Sequence, residues 1–191
     1  MAHTTPLVPA LGGNDTIMRK VTMVLFGSLL VGMSAQVSVP MFPVPMTLQT
    51  LAISLIGLTY GARLAGITLM VYLAQGAIGF PVFAGGGAGA VYLMGPTGGF
   101  LVGFAAMAWL TGLLVERGLN GGFLRLFGAA LIPALLLFVP GVLWLWTITP
   151  LDMNGAIAAG AVPFILGAFV KAAVAALIVT GAWAAFKSRL N

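Results

Sequence analysis

The chain has 191 residues, of which 61% are hydrophobic and only 6% charged, with a formal net charge of +5 and a pI near 10.3. So few charges cannot cover a water-soluble surface, so the basic balance that would suggest nucleic acid in a soluble protein marks membrane topology here. There is no cysteine, which excludes a disulfide framework and a thiolate metal site.

Residues 1–18 are polar and rich in Pro, Gly and Thr, and read as a flexible cytoplasmic tail. A membrane domain follows over residues 19–186, and residues 187–191 form a second short cytoplasmic tail. No charge occurs from Val21 to Ala62 or from Leu64 to Val115. A bilayer core takes about 20 apolar residues per helix. The 42 uncharged residues before Arg63 therefore hold two spans and a loop, as do the 52 before Glu116. Leu126 to Leu151 supplies a fifth span and about Ala161 to Phe186 a sixth. These runs far exceed the roughly ten residues of a barrel strand and lack two-residue alternation. The expected fold is all-α and integral to the membrane, with six transmembrane helices in one domain.

The first span, about Arg19 to Val39, carries Ser28 and Gly32 at a small-xxx-small spacing that lets another helix come close. That face suits either a partner subunit or helices of the same chain. A secretory signal peptide competes for this span, because Arg19 and Lys20 precede an apolar run containing Met33, Ser34 and Ala35. Cleavage would leave five helices and put Lys187 and Arg189 on the wrong side. Pro40, Pro43 and Pro45 end the helix and impose an extended segment. The second span then opens on Met46-Thr47-Leu48-Gln49-Thr50, whose polar groups can face a ligand or satisfy a helix start.

The connection from Phe80 to Phe100 is dense in glycine and punctuated by aromatics, allowing close approach of backbone to a ligand or a helix. Gly85 to Ala90 formally fits a dinucleotide fingerprint, but outside a βαβ unit the pattern carries no weight. No Gly-Lys-Ser/Thr follows a glycine loop, so the chain has no Walker A site. Pro133 and Pro140 are expected to bend or interrupt the fifth helix, with Trp144 and Trp146 near its outer end as interfacial anchors or stacking partners.

Arg19, Lys20, Arg63, Arg117, Arg125, Lys187 and Arg189 all fall on one side of this topology, which the positive-inside rule makes cytoplasmic, together with both termini. The opposite connections, near residues 40–46, 81–96 and 147–160, carry Asp152 alone. The remaining cation, Lys171, lies eight residues beyond Pro163, about 12 Å into the sixth span. A lysine at that depth costs about 2.5–3.5 kcal/mol on insertion scales and so faces a cavity or a partner, or else snorkels. No acid lies within a turn of it, since positions 167, 168, 174 and 175 are Gly, Ala, Val and Ala. An anionic or strongly polar solute entering from outside, or Asp152, is its natural counterpart.

Enzyme chemistry finds few residues to use, a Ser-Lys dyad of Ser54 and Lys171 being the one formal possibility. The single histidine is His3, and Asp15, Glu116 and Asp152 are far apart in sequence and topology, so no acid pair, zinc set or Ser-His arrangement assembles.

Three ordered motifs are more specific: Pro43-Val44-Pro45-Met46-Thr47-Leu48-Gln49-Thr50, Gly79-Phe80-Pro81-Val82-Phe83-Ala84-Gly85-Gly86, and Leu93-Met94-Gly95-Pro96-Thr97-Gly98-Gly99-Phe100 with its continuation to Phe104. Together they resemble BioY, the biotin-capturing S component of energy-coupling factor transporters, from the first helix to Lys171. The resemblance implies six helices in the cytoplasmic (inner) membrane and biotin bound near the outer face. It implies no cofactor beyond the transported ligand. Partners would be a transmembrane T component and two cytosolic ATPases, with solitary or homo-oligomeric action also represented in the family. On that reading Lys171 donates to a polar end of biotin, and Phe83, Tyr92 and Trp144 offer walls to its bicyclic ring. Thr47, Gln49, Gly86 and Asp152 complete the expected site, and Ser28 and Gly32 form a docking face for the T component. One departure stands out: the family usually has an aspartate three residues before the lysine, where this chain has Ala168. Gln49, Asp152 or a loop carbonyl would then supply the missing acceptor. An S component for another vitamin and a non-transporting scaffold subunit are the alternative readings.

Overall fold

Proline and glycine decide where this chain stops being helical. The computed structural model describes residues 16–188, so the expected tails fall largely outside it, at residues 1–15 and 189–191. Helix α1, Ile17–Gln36, starts two residues earlier than the first charge suggests, because the Thr16 hydroxyl caps it by accepting the Arg19 N–H. Past Gln36 the three prolines fall in the bent connection that turns the chain back, so that Ser38–Val39 (β1) pairs antiparallel with Met46–Thr47 (β2), Ser38 opposite Thr47 and Val39 opposite Met46. The sequence offers no two-residue alternation long enough to announce so short a hairpin.

Helix α2, Gln49–Tyr60, turns directly into α3, Ala62–Ala77, through Gly61. Gly61 has φ 84°, a left-handed conformation that glycine reaches without Cβ strain. The Glu116 carboxylate accepts the Ala62 N–H at 2.8 Å, placing an anion on the amino end of α3. The glycine-dense connection folds into a 3-10 turn at Ala84–Gly86 and a short helix α4, Ala90–Leu93, before α5, Gly98–Glu116. Next come α6, Phe123–Leu136, and α7, Phe138–Ile148, separated at Leu137, one turn before Pro140. Pro140 has no N–H to give to the preceding turn, which is why the ladder is interrupted there. Helix α8, Met153–Gly160, and α9, Val162–Ser188, complete the order.

Among the described residues four helical stretches are long and apolar enough to cross a membrane: Ile17–Gln36, Gly98–Glu116, Phe123–Ile148 and Met153–Ala185. The expected second and third spans are shorter, at 12 residues in α2 and 16 in α3. Residues 37–48 and 78–97 go instead into structured connections at one end of the bundle. The last span was expected from about Ala161, and α9 begins at Val162; the separate helix α8 before it starts at Met153, where Asp152 caps it by accepting the Gly155 N–H at 2.8 Å.

Helix α5 is central and packs against α2, α3, α6 and α7. One buried cluster, including Tyr72, Phe83, Phe100 and Leu145, fills the end of the bundle that carries the structured connections. A second, including Ala129, Ala130, Ala172, Ala175 and Ala176, lets α6 and α9 approach closely. Small side chains suit that contact, because in lipid helix association depends on close van der Waals packing. Ser28 and Gly32 on α1 are also buried. A Cβ at the adjoining Gly27 would meet Thr68 of α3 at 2.7 Å, and one at Gly32 would meet Val82 at 3.4 Å. This small face is therefore taken up by the chain's own residues, which corrects the expectation that it receives a partner subunit. The outward face of α1 presents Leu25, Phe26, Leu29 and Met33.

Candidate functional site

The hairpin β1–β2 and the start of α2 bring polar groups over the inner turns of α9. Lys171 lies ten positions into α9, and its ammonium donates to the Thr47 carbonyl at 2.6 Å. An ammonium has three donors, so two remain for other acceptors. From Thr47 a continuous hydrogen-bond chain runs inward. The Thr47 hydroxyl donates to Gln49 Oε1 at 3.0 Å, Gln49 Nε2 to the Tyr72 hydroxyl at 2.7 Å, and that hydroxyl to the Val82 carbonyl at 3.1 Å. Gln49 is 3% exposed, and burial makes each of these bonds costly to leave unmade.

Beside Lys171 opens a cavity with about 670 Å³ of empty space, its mouth included. Thr47, Gln49, Thr50, Tyr92, Thr97 and Lys171 supply its polar groups. Phe100, Phe104, Phe138 and Phe164 supply aromatic wall, with Val44 and Pro45 on the loop side and Ala168 one turn before the lysine. Charge, hydrogen-bonding groups and ring faces thus converge on one hollow, which suits a small amphipathic solute with a polar end and an apolar body.

Of the eight expected ligand residues, the fold gathers Lys171, Thr47, Gln49 and Tyr92 around this hollow. The other four lie outside its lining. Phe83 is fully buried behind it, stacked on Tyr92 with ring centroids 5.1 Å apart and edge-on to Tyr72 at 5.6 Å. It supports the wall instead of forming it. Gly86 is exposed, and its N–H is taken by the Gln36 side chain. Trp144 directs its indole N–H to the Gly95 carbonyl at 2.9 Å, tying the glycine-rich connection to α7. Asp152 is engaged as the cap of α8, so it is neither counter-ion to Lys171 nor an acceptor in the hollow.

Thr50 stands with Thr47 and Gln49 in the polar opening of the second span but was not among the expected ligand residues, and neither were Thr97 and the four phenylalanines. A signal was present all the same. Phe164, Ala168 and Lys171 are spaced i, i+4, i+7, and Phe100 and Phe104 i, i+4, each set on one helix face. In a sequence hydrophobic all round such a stripe has no polar background to stand against. Among the described residues no group of three or more His, Cys, Asp or Glu is placed to hold a metal ion.

Comparison with known proteins agrees with this architecture. The family model described as the BioY family matches residues 4–188. A protein of Pyrococcus horikoshii named "Probable biotin transporter BioY" is 34% identical over 160 residues, covering 84% of this chain and 93% of the relative. "Biotin transporter BioY2" of Lactococcus lactis subsp. cremoris is 35% identical, covering 83% and 86%. "Biotin transporter BioY" of Rhizobium etli is 37% identical, covering 81% and 87%. A crystal structure of the S-component for biotin from an ECF-type ABC transporter superposes with a TM-score of 0.79 at 24% identity, covering 88% of this chain and 93% of the other, and so shares its fold.

Proposed function

This chain belongs to the BioY family of multi-pass membrane proteins, and we propose that it captures biotin at the outer face of the cytoplasmic membrane as the S component of an ECF-type transporter. The observation that carries the reading is a lysine with spare donors beside a hollow lined by polar groups and by aromatic walls. The full-length match to a family whose curated members are named biotin transporters supplies the ligand.

Biotin fits the chemistry group by group. Lys171 donates to its carboxylate or its ureido carbonyl, a charge-assisted bond in a site of low dielectric. Phe100, Phe104, Phe138 and Phe164 take the bicyclic ring and the aliphatic tail. The ureido N–H groups need acceptors, and Ala168 has none. Gln49 Oε1 fills that role, being rigidly held by Thr47 and Tyr72. Six spans with both termini inside is the topology we propose, α2 and α3 forming a short pair with the bundle's structured connections outside. In that orientation Arg19, Lys20, Arg63, Arg117 and Arg125 sit at the cytoplasmic end. A T component and two ATPases would supply the ATP-driven step, for which this chain has no Walker A residues.

Purified protein in detergent is expected to retain radiolabelled biotin at equilibrium, with thiamine, riboflavin and folate failing to compete. Displacement by one of those vitamins would transfer the assignment to it, and retention of none would leave a scaffold subunit. Within the site, Gln49→Leu is expected to weaken biotin binding about tenfold, equivalent to about 1.4 kcal/mol, by removing an acceptor and loosening its hydrogen-bonded neighbours. Titration calorimetry giving an unchanged Kd would place the acceptor elsewhere.

A further inference from the structure

Helix α1 contributes no residue to the cavity lining, yet its last residue grips the wall from behind. Gln36 Nε2 donates to the Phe83 carbonyl at 3.0 Å, and Gln36 Oε1 accepts the Gly86 N–H at 3.0 Å. Both faces of one side-chain amide thus close on the ends of the Phe83–Gly86 turn. The same Nε2 lies 3.2 Å from the Gly32 carbonyl, which steadies the amide against its own helix.

What this turn carries is the wall. Ala84 lines the cavity, and its carbonyl accepts the Tyr92 hydroxyl at 3.2 Å. Tyr92 lines the cavity too and stacks on Phe83, the residue whose carbonyl Gln36 holds. Gly85 and Gly86 have φ of 64° and 74°, and a Cβ at either would meet nothing within 4 Å. The buried Phe83 ring anchors one end of the turn, and the Gly86 N–H also lies 3.2 Å from the Phe83 carbonyl, but Gly85 and Gly86 bring no side chain, and glycine backbone is free to take many other conformations. The Gln36 amide ties that glycine end of the turn to α1.

We infer that Gln36 is a positioning residue for the ligand. By clamping the Phe83–Gly86 turn to α1 it fixes Ala84 and Tyr92 as a closed wall and so slows ligand escape. This inference rests on the biotin reading, but the clamp itself can be measured without ligand. Gln36→Met keeps the side-chain length and removes both amide bonds, and Gln36→Glu keeps the acceptor for Gly86 while facing the Phe83 carbonyl with an oxygen.

Two measurements decide it in the full chain in detergent. The first is hydrogen–deuterium exchange of a peptide spanning residues 83–92 without ligand, alongside the thermal midpoint. The second is the dissociation rate of radiolabelled biotin. Gln36→Met is expected to speed exchange in that peptide at least fivefold, with the midpoint and the exchange of α5 and α6 unchanged, and to speed biotin release by a similar factor with little change in association rate. Gln36→Glu is expected to fall on the same side. Unchanged exchange would overturn the clamp. Faster exchange with unaltered release would overturn its role in retention, and a lowered midpoint with exchange raised throughout would reduce Gln36 to general stability. Should the unsubstituted protein bind no biotin, the reading of function falls while the exchange experiment still decides the clamp.

Discussion

Lys171→Ala is expected to weaken biotin binding at least tenfold, about 1.4 kcal/mol, and Lys171→Met by a similar factor. Hydrogen bonds to a charged group contribute about 1.5–3 kcal/mol, and among the described residues no carboxylate lines the hollow to share the ammonium. Substitution also releases the Thr47 carbonyl, bonded to Lys171 at 2.6 Å, and with it the anchor of the β1–β2 hairpin to α9. The pair of variants separates charge from shape. Methionine keeps the apolar stem, so if packing alone mattered Lys171→Met would bind like the unsubstituted protein. Titration calorimetry with biotin makes the comparison, and an unchanged Kd for the methionine variant would end the assignment of Lys171 as the ligand's polar anchor.

A large structural penalty is expected at a position that touches no ligand. Gly76 of α3 is buried, and a Cβ built there would lie 2.0 Å from Phe83 Cζ, with Cε1 and Cε2 at 2.4 and 2.5 Å. Phe83 has 0% of its surface exposed and is held between Tyr72 and Tyr92, so its ring has nowhere to retreat. Gly76→Ala therefore overpacks the support of the wall, at a cost of about 1–3 kcal/mol. The thermal midpoint in detergent is expected to fall, and biotin affinity with it, because Tyr92 rides on the displaced ring. Adding Phe83→Leu to Gly76→Ala shortens the obstructing side chain and is expected to recover part of the lost stability. If Gly76→Ala melts with the unsubstituted protein, the ring is not confined as described.

These expectations draw on features that differ in how plainly the sequence carries them. Lys171 was legible because it interrupts 34 residues otherwise free of charge, from Met153 to Phe186. Thr47 and Gln49 were legible as polar residues opening an apolar run. Asp152 and Trp144 were misleading for one shared reason. Each has a polar group that looks available to a ligand, and in the fold each gives it to nearby backbone, Asp152 to Gly155 and Trp144 to Gly95. Backbone N–H and C=O groups are present at every residue and leave no mark in a sequence, so competition from them cannot be read there. Gln36 was passed over for the converse reason. It is one amide at the end of an apolar helix, and its partners, Phe83 and Gly86, lie 47 and 50 residues away.

By itself the sequence determined that this chain is a helical membrane protein, because 6% charge allows little else, and that a cation is set among its apolar helices at Lys171. Its ordered motifs determined the family. Only the tertiary structure decided which polar groups meet that cation. The two connections that deliver them, residues 37–48 and 78–97, follow neither helical nor strand periodicity and are shaped by prolines, left-handed glycines and hydrogen bonds between distant segments. Periodicity reports a face turned toward lipid or core, whereas a binding site is built where chain segments with no common period are brought to the same place.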